Sequence, residues 1–401
     1  MADKNSTIPR GWKMTTLGEV VDIKGGKRLP MGKSLVVQKT SHPYIRITDI
    51  ENNKIKKNQL QFITDDVFSS ISRYIVNSGD VIVSIVGSIG FVAIIDDDLD
   101  KASLTENCVK FVNLKNLDSK FLYYFLTSGS GQNEIERNTI GAVQKKLPIY
   151  GVQNIKIFLP SFPEQRAIAA VLSSLDDKIE LLREQNKTLE AIAQAIFKEW
   201  FVNFNFPGAT GKMIDSELGK IPEGWKIYRF DEIMEFTSGN YIPKEEYDAC
   251  GKNIIYGSNS VMGKTNKKTH TGPVIILAKI GSYCGAVQYS LNNCWINNNA
   301  GGIKGKTIST ALIFEILKYF NFGIVREGSG QPYINMSGLK IQEVALPNDK
   351  SPITIKASNI FDGLYKKIGE NTNQIKVLSS LRDTLLPKLM KGEVRVKGFK
   401  E

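Results

Sequence analysis

The chain has 401 residues, of which 42% are hydrophobic and 9% aromatic, which is typical of a globular protein with two or more domains. Lysine and arginine total 52 against 41 acidic residues, and the resulting charge of +11 favours a polyanionic partner. The sequence has no apolar run of 18 residues, no signal-like N-terminus and no CxxC pair among its four cysteines, which argues against a membrane span, secretion and a disulfide framework. We therefore expect a cytoplasmic protein.

One phrase near the N-terminus occurs a second time in the chain. IPRGWKMTTLGEVVDIKGGKRLP begins at Ile8, and IPEGWKIYRFDEIMEFTSGNYIP begins at Ile221. Identical residues recur 213 positions later, among them those that match Ile8, Pro9, Gly11, Trp12, Glu19, Gly26 and Pro30. The repeated order of proline, glycine and tryptophan indicates an internal duplication.

The features that follow the phrase also occur twice and in the same order. A β-branched run with a Gly-Ser pair follows each copy, at Gly87-Ser88 and Gly281-Ser282. An apolar helix-like stretch comes next, and a glutamine-bearing loop then leads to a Leu-Pro stop at Pro160 and at Pro347. Short apolar runs between glycine and proline are typical of strands. The sequence therefore predicts two similar β-rich domains, at residues 1–160 and 207–347.

A heptad pattern follows each β-rich domain. Apolar residues alternate at spacings of three and four, with one asparagine near the middle of each pattern. The predicted seam positions are Leu172, Leu175, Ile179, Leu182, Asn186 and Leu189, continuing through Ala193, Ile196 and Trp200, and Leu364, Ile368, Asn371, Ile375, Leu378, Arg382, Leu385 and Leu389. Neither helix can bury such a seam alone, so pairing with each other is favoured, although each could instead pack on its own domain.

These patterns predict an α+β fold in which two long helices, in segments 161–206 and 348–401, separate the β-rich domains. Short connections favour antiparallel pairing of helices 163–204 and 352–391, with a pseudo-two-fold axis between them. A helix over residues 172–200 would be about 43 Å long at roughly 1.5 Å per residue. That length is comparable with one turn of a DNA duplex, roughly 34–36 Å.

Basic loops make DNA the expected polyanion. Residues 24–57 contain nine lysines and arginines but only two acids, interrupted by glycines that allow close approach to a ligand. Lysine attracts phosphates, while arginine, asparagine and glutamine can read base edges through paired hydrogen bonds. A single lysine is more often a solvated surface residue, so the argument depends on the cluster and not on any one member.

Candidate DNA contacts lie in loops between predicted strands. In the first domain they are Lys27, Arg28, Arg46, Ser88, Asn107, Gln144 and Lys145. In the second they are Lys244, Asn259, Lys267, Ser282, Asn299, Gln331 and Tyr333. We expect the lysines to contact phosphates and the arginine and amide side chains to read bases. The alternative for Gln144 and Gln331 is that both cap turns inside their domains.

The motifs resemble those of the specificity subunits of type I restriction-modification systems. The phrases are IPEGWK, GSIG, SLTENC, GAVQKKL, LPSFPEQRAIAAVLSSLDDKIELLREQ and LRDTLLPKLMKGEVRV. This resemblance implies two target-recognition domains that read the halves of a bipartite target in double-stranded DNA. It further implies partner subunits: two modification subunits that methylate adenine with S-adenosylmethionine, and restriction subunits that use ATP and Mg to translocate and cleave DNA. Ile168, Ala169 and Val171 are apolar positions beside the seam that we expect to help dock the modification subunits.

The chain itself shows no motif for catalysis. Both GKT tripeptides lack the upstream glycine of a phosphate loop, since Ser258 and Ala300 occupy that position. Only His42 and His270 are present, which disfavours a catalytic triad or a zinc site, and no adenine-methylation loop occurs. We therefore expect no catalytic residue, metal or cofactor on this chain. The alternatives are an enzyme acting on nucleic acid and a coiled-coil scaffold that binds only protein.

Overall fold

The computed structural model describes residues 9–398, which form two compact units. The first unit contains residues 9–179 and 377–398, and the second contains residues 180–376. Each unit combines a β-rich domain with part of two long helices, so the predicted α+β class and helix pairing are confirmed. Ile8, the first residue of the repeated phrase, lies outside the described residues.

The first unit is built around a four-stranded antiparallel sheet. The strands of the whole unit are β1 (Lys13–Thr16), β2 (Asp22–Gly25), β3 (Pro43–Ile45), β4 (Ile50–Glu51), β5 (Lys54–Ile55), β6 (Gln61–Phe62), β7 (Val81–Ser84), β8 (Val92–Ile94), β9 (Ser103–Leu104), β10 (Cys108–Val112) and β11 (Lys156–Leu159). Its short helices are α1 (Leu17–Val20), α2 (Asp65–Ile71), α3 (Ser119–Thr127), α4 (Gly129–Arg137) and α5 (Ile149–Gln153). The sheet order is β2-β10-β7-β8, and β6-β3-β9 forms a smaller sheet.

The long helices are α6 (Phe162–Phe197), which continues as a π-helical turn at Lys198–Val202, and α10 (Pro352–Met390). Three other helices belong to the second unit: α7 (Phe230–Ile233), α8 (Thr310–Tyr319) and α9 (Met336–Lys340). The strands of that unit are β12 (Met213–Ser216), β13 (Gly219–Pro222), β14 (Trp225–Arg229), β15 (Met234–Ser238), β16 (Asn253–Tyr256), β17 (Val261–Thr265), β18 (Val274–Ala278), β19 (Val287–Ser290), β20 (Cys294–Ile296), β21 (Ala300–Gly305), β22 (Arg326–Glu327), β23 (Tyr333–Ile334) and β24 (Glu343–Pro347).

The second unit repeats the topology of the first. Its main sheet has the order β15-β21-β18-β19, which matches β2-β10-β7-β8 strand for strand. The central strands β7 and β18 are wholly buried and rich in β-branched residues, which favour extended backbone. Helices α3 and α8 pack on these sheets, and each begins at a side-chain cap, Asp118 or Ser309.

The repeated phrase is structural in both units. Trp12 and Trp225 are buried in the cores, and the preceding glycines have left-handed backbone, with φ of 80° at Gly11 and 87° at Gly224. The glutamates cap short helices, because Glu19 accepts from the Thr16 amide at 3.3 Å and Glu232 does the same at the start of α7.

The later repeated glycine has an equally direct explanation. A Cβ at Gly26 would collide with the carbonyl oxygens of Leu104 and Thr105, and one at Gly239 would collide with the carbonyl of Asn297. The backbone therefore crosses a neighbouring loop at the same place in both units, at a distance that only glycine permits.

Within each unit α6 and α10 pair antiparallel. In the first unit Arg382 donates to Asp176 at 2.8 Å, and Asp176 also accepts from Tyr124 at 2.8 Å. In the second unit Asn371 donates to the Asn186 side chain at 2.9 Å. Asn186 follows Asp176 along α6, whereas its partner Asn371 precedes Arg382 along α10. The two helices therefore run in opposite directions.

The helices also pack on the β-rich domains of their own units. Ile168 and Ala169 are buried in the core of the first unit, so our expectation that they help dock a partner is wrong. Phe361 and Tyr365 of α10 are likewise buried in the core of the second unit. The helices therefore pair with each other and also close the hydrophobic cores.

Candidate nucleic-acid interface

One end of the main sheet in the first unit gathers the loops that contain most of the candidate residues. In the order β2-β10-β7-β8, the strands alternate in direction. Gly25 ends β2, Cys108 begins β10, Ser84 ends β7 and Val92 begins β8, so all four lie at the same end. The loops at residues 26–42, 105–107 and 85–91 therefore leave the sheet side by side.

Backbone hydrogen bonds connect these loops to the glutamine-bearing loop. The Ile85 amide donates to the Asn107 carbonyl at 2.8 Å, and the Leu147 amide donates to the Ile85 carbonyl at 2.8 Å. Val86 also pairs with Lys146 in an isolated β-bridge. This pairing brings four candidates into one cluster: Ser88, Asn107, Gln144 and Lys145.

A cavity of about 390 Å³ lies within the same cluster. It is lined by Gly87 and Lys145 together with residues of α4, among them Gln132 and Glu136. The Gln144 side chain is exposed and makes no hydrogen bond within residues 9–398, which does not support the alternative that it caps a turn. The surface combines amide groups, a lysine and an open recess.

Lys27 and Arg28 lie beside this cluster. The Gly26 amide donates to the Cys108 carbonyl at 3.0 Å and the Lys27 amide donates to the Leu104 carbonyl at 2.8 Å. Both side chains are exposed, but Arg28 already forms an ion pair with Glu106 at 2.8 Å. The hydrogen bond to Glu106 raises the pKa of Arg28.

Arg46 has a different environment. Its Nη2 and Nε atoms donate to the two carboxylate oxygens of Asp49 at 2.8 and 3.0 Å, and its Nη1 donates to Gln61. Asp49 is 1% exposed, so the guanidinium neutralises a buried carboxylate. The hydrogen bonds that Arg46 donates to Asp49 also raise the pKa of Arg46. This geometry favours a structural role for Arg46 over the base reading that its residue type suggested.

The basic region 24–57 is less positive in the fold than in the sequence. At least five of its nine cations form ion pairs, several of them with acids from distant segments. Lys33 pairs with Asp66 at 2.6 Å, and Lys57 pairs with Asp96 and Asp98 at 2.9 Å. Counting charge along the chain therefore overestimates the charge offered to a polyanion here.

The second unit builds the matching cluster in the same way. The Lys279 amide donates to the Asn299 carbonyl at 3.0 Å, and the Ile334 amide donates to the Lys279 carbonyl at 2.8 Å. Ser258 donates from its hydroxyl to the Ile280 carbonyl at 3.1 Å. Five candidates are thereby brought together: Asn259, Ser282, Asn299, Gln331 and Tyr333.

Within this cluster two candidates differ in how they are held. The Tyr333 hydroxyl donates to Glu327 at 2.6 Å, and this hydrogen bond raises the pKa of Tyr333. Gln331 is exposed and its side chain makes no hydrogen bond within the described part of the chain. Gln331 is therefore free to adapt to a ligand, whereas Tyr333 is oriented in advance.

Lys244 and Lys267 do not join the cluster. Lys267 pairs with Glu246 at 2.7 Å, in the short turn that also contains Lys244. Lys267 follows β17 at the Asn253 end of the β16–β17 pair, whereas Asn259 lies in the turn at the other end. A four-residue strand separates the two ends by roughly 13 Å.

Lys279 is a candidate that sequence reasoning missed. It is half-buried at the centre of the second cluster, and burial lowers the pKa of its ammonium group. A signal for it existed in the sequence, because Lys279 interrupts an apolar run at the position that Ile85 occupies in the first copy.

Within residues 9–398, no group of three or more His, Cys, Asp or Glu side chains could hold a metal ion. No helix in that range is long and apolar enough to cross a membrane. His270 is buried between the hydroxyls of Thr237 and Thr269, at 2.6 and 2.7 Å, and burial lowers its pKa.

Two β-rich domains of one topology, each with a loop cluster at the same sheet end and joined to a helix pair, define a two-domain recognition protein. The chain belongs to the family of type I restriction modification DNA specificity domains, whose model matches residues 9–191 and 222–378. It is thus a DNA specificity subunit of a type I restriction-modification system, with two target recognition domains, and this subunit is the non-catalytic one. The resemblance in its motifs is confirmed.

Individual relatives match either nearly the whole chain or about half of it. The chain is 26% identical over 423 residues to the type I restriction enzyme MjaIX specificity subunit of Methanocaldococcus jannaschii, covering 97% of this chain and 95% of that one. It is 27% identical over 202 residues to the EcoBI specificity subunit of Escherichia coli, covering 47% and 42%. The fold is similar to the crystal structure of a type I system S subunit from Mycoplasma genitalium, with a TM-score of 0.67, 20% identity and coverage of 97% and 98%.

Proposed function

We propose that each target recognition domain reads one half of a bipartite DNA target through the loop cluster at one end of its main sheet. The observation that carries this proposal is the equivalent pairing of loops in both units, at Ile85–Asn107 and at Lys279–Asn299. Both clusters present exposed amide side chains, which suit base edges. Their residues differ, as expected if the two half-sites have different sequences.

The domain boundaries belong to the same proposal. The recognition domains comprise residues 1–160 and 207–347, and the helical segments with the tail comprise 161–206 and 348–401. The helices set the spacing between the half-sites, in an arrangement with approximate two-fold symmetry.

The helices also dock two modification subunits, and restriction subunits join that assembly. Exposed apolar side chains on the helices support docking: Leu181 is 51% exposed, Val377 67% and Leu381 45%. S-adenosylmethionine, ATP and Mg act on those partner subunits, which methylate adenine and cleave DNA. The assembly works in the cytoplasm on double-stranded DNA.

The test uses the full chain co-expressed with its modification partner, and selects target sites from random duplex DNA. Gln144→Ala should relax base preference in one half-site and Gln331→Ala in the other. Each should cost about 1–3 kcal/mol of binding free energy on the selected site. Gln374→Ala, an exposed glutamine on α10, is the control and should change neither half-site.

Lysine variants separate phosphate contacts from base contacts. Lys27→Ala and Lys145→Ala should weaken binding to all sequences and lower the salt dependence by about one unit. If Gln144→Ala lowered thermal stability while both half-site preferences stayed unchanged, the glutamine would be structural. If the wild-type complex selected no sequence at all, the reading function itself would be wrong.

A further inference from the structure

Lys279 occupies a defined position at the centre of the second loop cluster. It follows β18 directly, and its backbone bonds to Asn299 on one side and to Ile334 on the other. Its side chain is half-buried, whereas Asn299 and Gln331 around it are exposed. Lys279 therefore lies at the base of the cluster and not on its rim.

The first unit has a different residue in the same place. The Ile85 amide and carbonyl bond to Asn107 and Leu147, just as those of Lys279 bond to Asn299 and Ile334. The backbone geometry is thus the same in the two units, but the side chain is a cation in one and an apolar group in the other.

The second unit also makes room for the lysine. Gly301 lies opposite Leu277 in the register of β18 and β21, where Val109 lies opposite Val83 in the first unit. The Lys279 stem crosses the face of Gly301, with its Cδ 3.3 Å from the position that a Cβ would take. A valine there would occupy the space of the stem.

The ammonium group has no anionic partner within residues 9–398. Burial lowers the pKa of Lys279, and no neighbouring carboxylate acts against this shift. A partly desolvated cation without a partner lacks the interaction that usually offsets its burial. A ligand acceptor at the base of the cluster would supply that interaction.

We propose that Lys279 determines specificity by donating to a base-edge acceptor, the O6 or N7 atom of guanine, in the half-site that the second unit reads. Ile85 makes an apolar contact in the equivalent place of the other half-site, of the kind that suits a thymine methyl group. This inference rests on the proposed reading function and adds a residue outside our candidate list. A base contact fits the buried position better than a phosphate contact, because phosphates are reached from the exposed rim.

The test compares Lys279→Met with the wild type in the complex with the modification partner, using random duplex DNA. Methionine keeps most of the apolar stem while removing the charge. Lys268→Met is the matched control, because Lys268 is an exposed lysine at the other end of the β16–β17 pair. The readouts are the base preference at each position, the Kd for the selected site, the salt dependence of binding and the unfolding temperature.

The expected result is loss of one guanine preference in one half-site, with roughly ten-fold weaker binding to the selected site. The base preference in the other half-site should not change, the unfolding temperature should not fall because an unpaired and partly buried charge is removed, and Lys268→Met should behave as the wild type. A uniform loss of affinity with a salt slope lower by about one unit and unchanged preferences would make Lys279 a phosphate contact and overturn the inference. Unchanged binding would overturn it too, while Gln331→Ala would still report on the reading function.

Discussion

The asparagine pair in the helix seam offers a quantitative test of how the helices are held in register. Asn371 is 1% exposed and its amide donates to the Asn186 oxygen at 2.9 Å, while Asn186 donates to Thr372 at 3.3 Å. Asn371→Ala removes the hydrogen bond to Asn186 together with a longer one to Gln185 at 3.5 Å, and it leaves the Asn186 oxygen without its donor. An unsatisfied buried polar group costs about 1–3 kcal/mol.

Part of this cost is offset by local helix propensity. Alanine is the better helix former by up to about 0.7 kcal/mol, so the net loss for Asn371→Ala should be about 1–2 kcal/mol. For a unit of this size, each kcal/mol lowers Tm by about 2–4 °C. Asn373→Ala is the control, since Asn373 is exposed on the same helix and should change stability by less than about 0.5 kcal/mol.

Replacing both asparagines should have the opposite outcome. The Asn186→Leu, Asn371→Leu double variant removes both polar groups together, so its stability should equal or exceed that of the wild type. It should also lose register specificity, because a buried polar pair permits only one alignment of the helices. Thermal unfolding of the wild type, the single variants Asn186→Leu and Asn371→Leu and the double variant gives the coupling energy. A coupling below about 0.3 kcal/mol would show that the asparagines act independently and would refute this account.

Three further predictions concern the same helices. Cysteines at Leu182 and Ile375, four residues before Asn186 and four after Asn371, should form a disulfide within one chain under mild oxidation, and failure to do so would contradict antiparallel pairing. Deleting residues 180–186 together with 371–377 shortens the helices by roughly 10 Å, so the DNA spacer that binds best should shrink by about three base pairs; an unchanged spacer would show that the helices do not set the distance. Arg382→Met should lower the free energy of unfolding by about 1.5–3 kcal/mol, measured by denaturant titration, because it breaks a charged hydrogen bond to α6.

The two long helices could be predicted from local sequence pattern alone. The spacing predicts helices over 163–204 and 352–391, and the structure has them at Phe162–Val202, including the π turn, and at Pro352–Met390. A heptad is a property of contiguous residues, so it can be read without knowing the fold. The pairing follows because two such seams have no other partner of equal length.

The role of the repeated phrase could not be predicted from local sequence pattern. The sequence reveals that Pro9, Gly11 and Trp12 recur, but recurrence alone does not separate a binding motif from a structural one. The structure does so, because Gly11 has a φ of 80° and Trp12 is buried in the core. The two copies therefore share the structural segment at the start of each domain, whereas the sequences of their proposed DNA-reading loops differ.

Charge and side-chain partners depend still more on the tertiary structure. Arg46 looks like a base reader in the sequence, yet Asp49 and Gln61 hold its guanidinium. Lys33 and Lys57 form ion pairs with acidic residues that lie more than thirty positions away in the sequence. No count along the chain predicts these pairs, because the loops that bring them together close only on folding.

The sequence by itself determined the duplication, the α+β class, the two helices and the family resemblance, because each depends on order and spacing along the chain. Only the tertiary structure decided which loops meet, since strand pairing places residues 85, 107 and 147 side by side in one unit and 279, 299 and 334 in the other. It also separated Lys267 from the cluster and placed Lys279 at its base. Hydrogen bonds between segments that are distant in the sequence set these positions. The residues next to each partner in the sequence do not predict these hydrogen bonds.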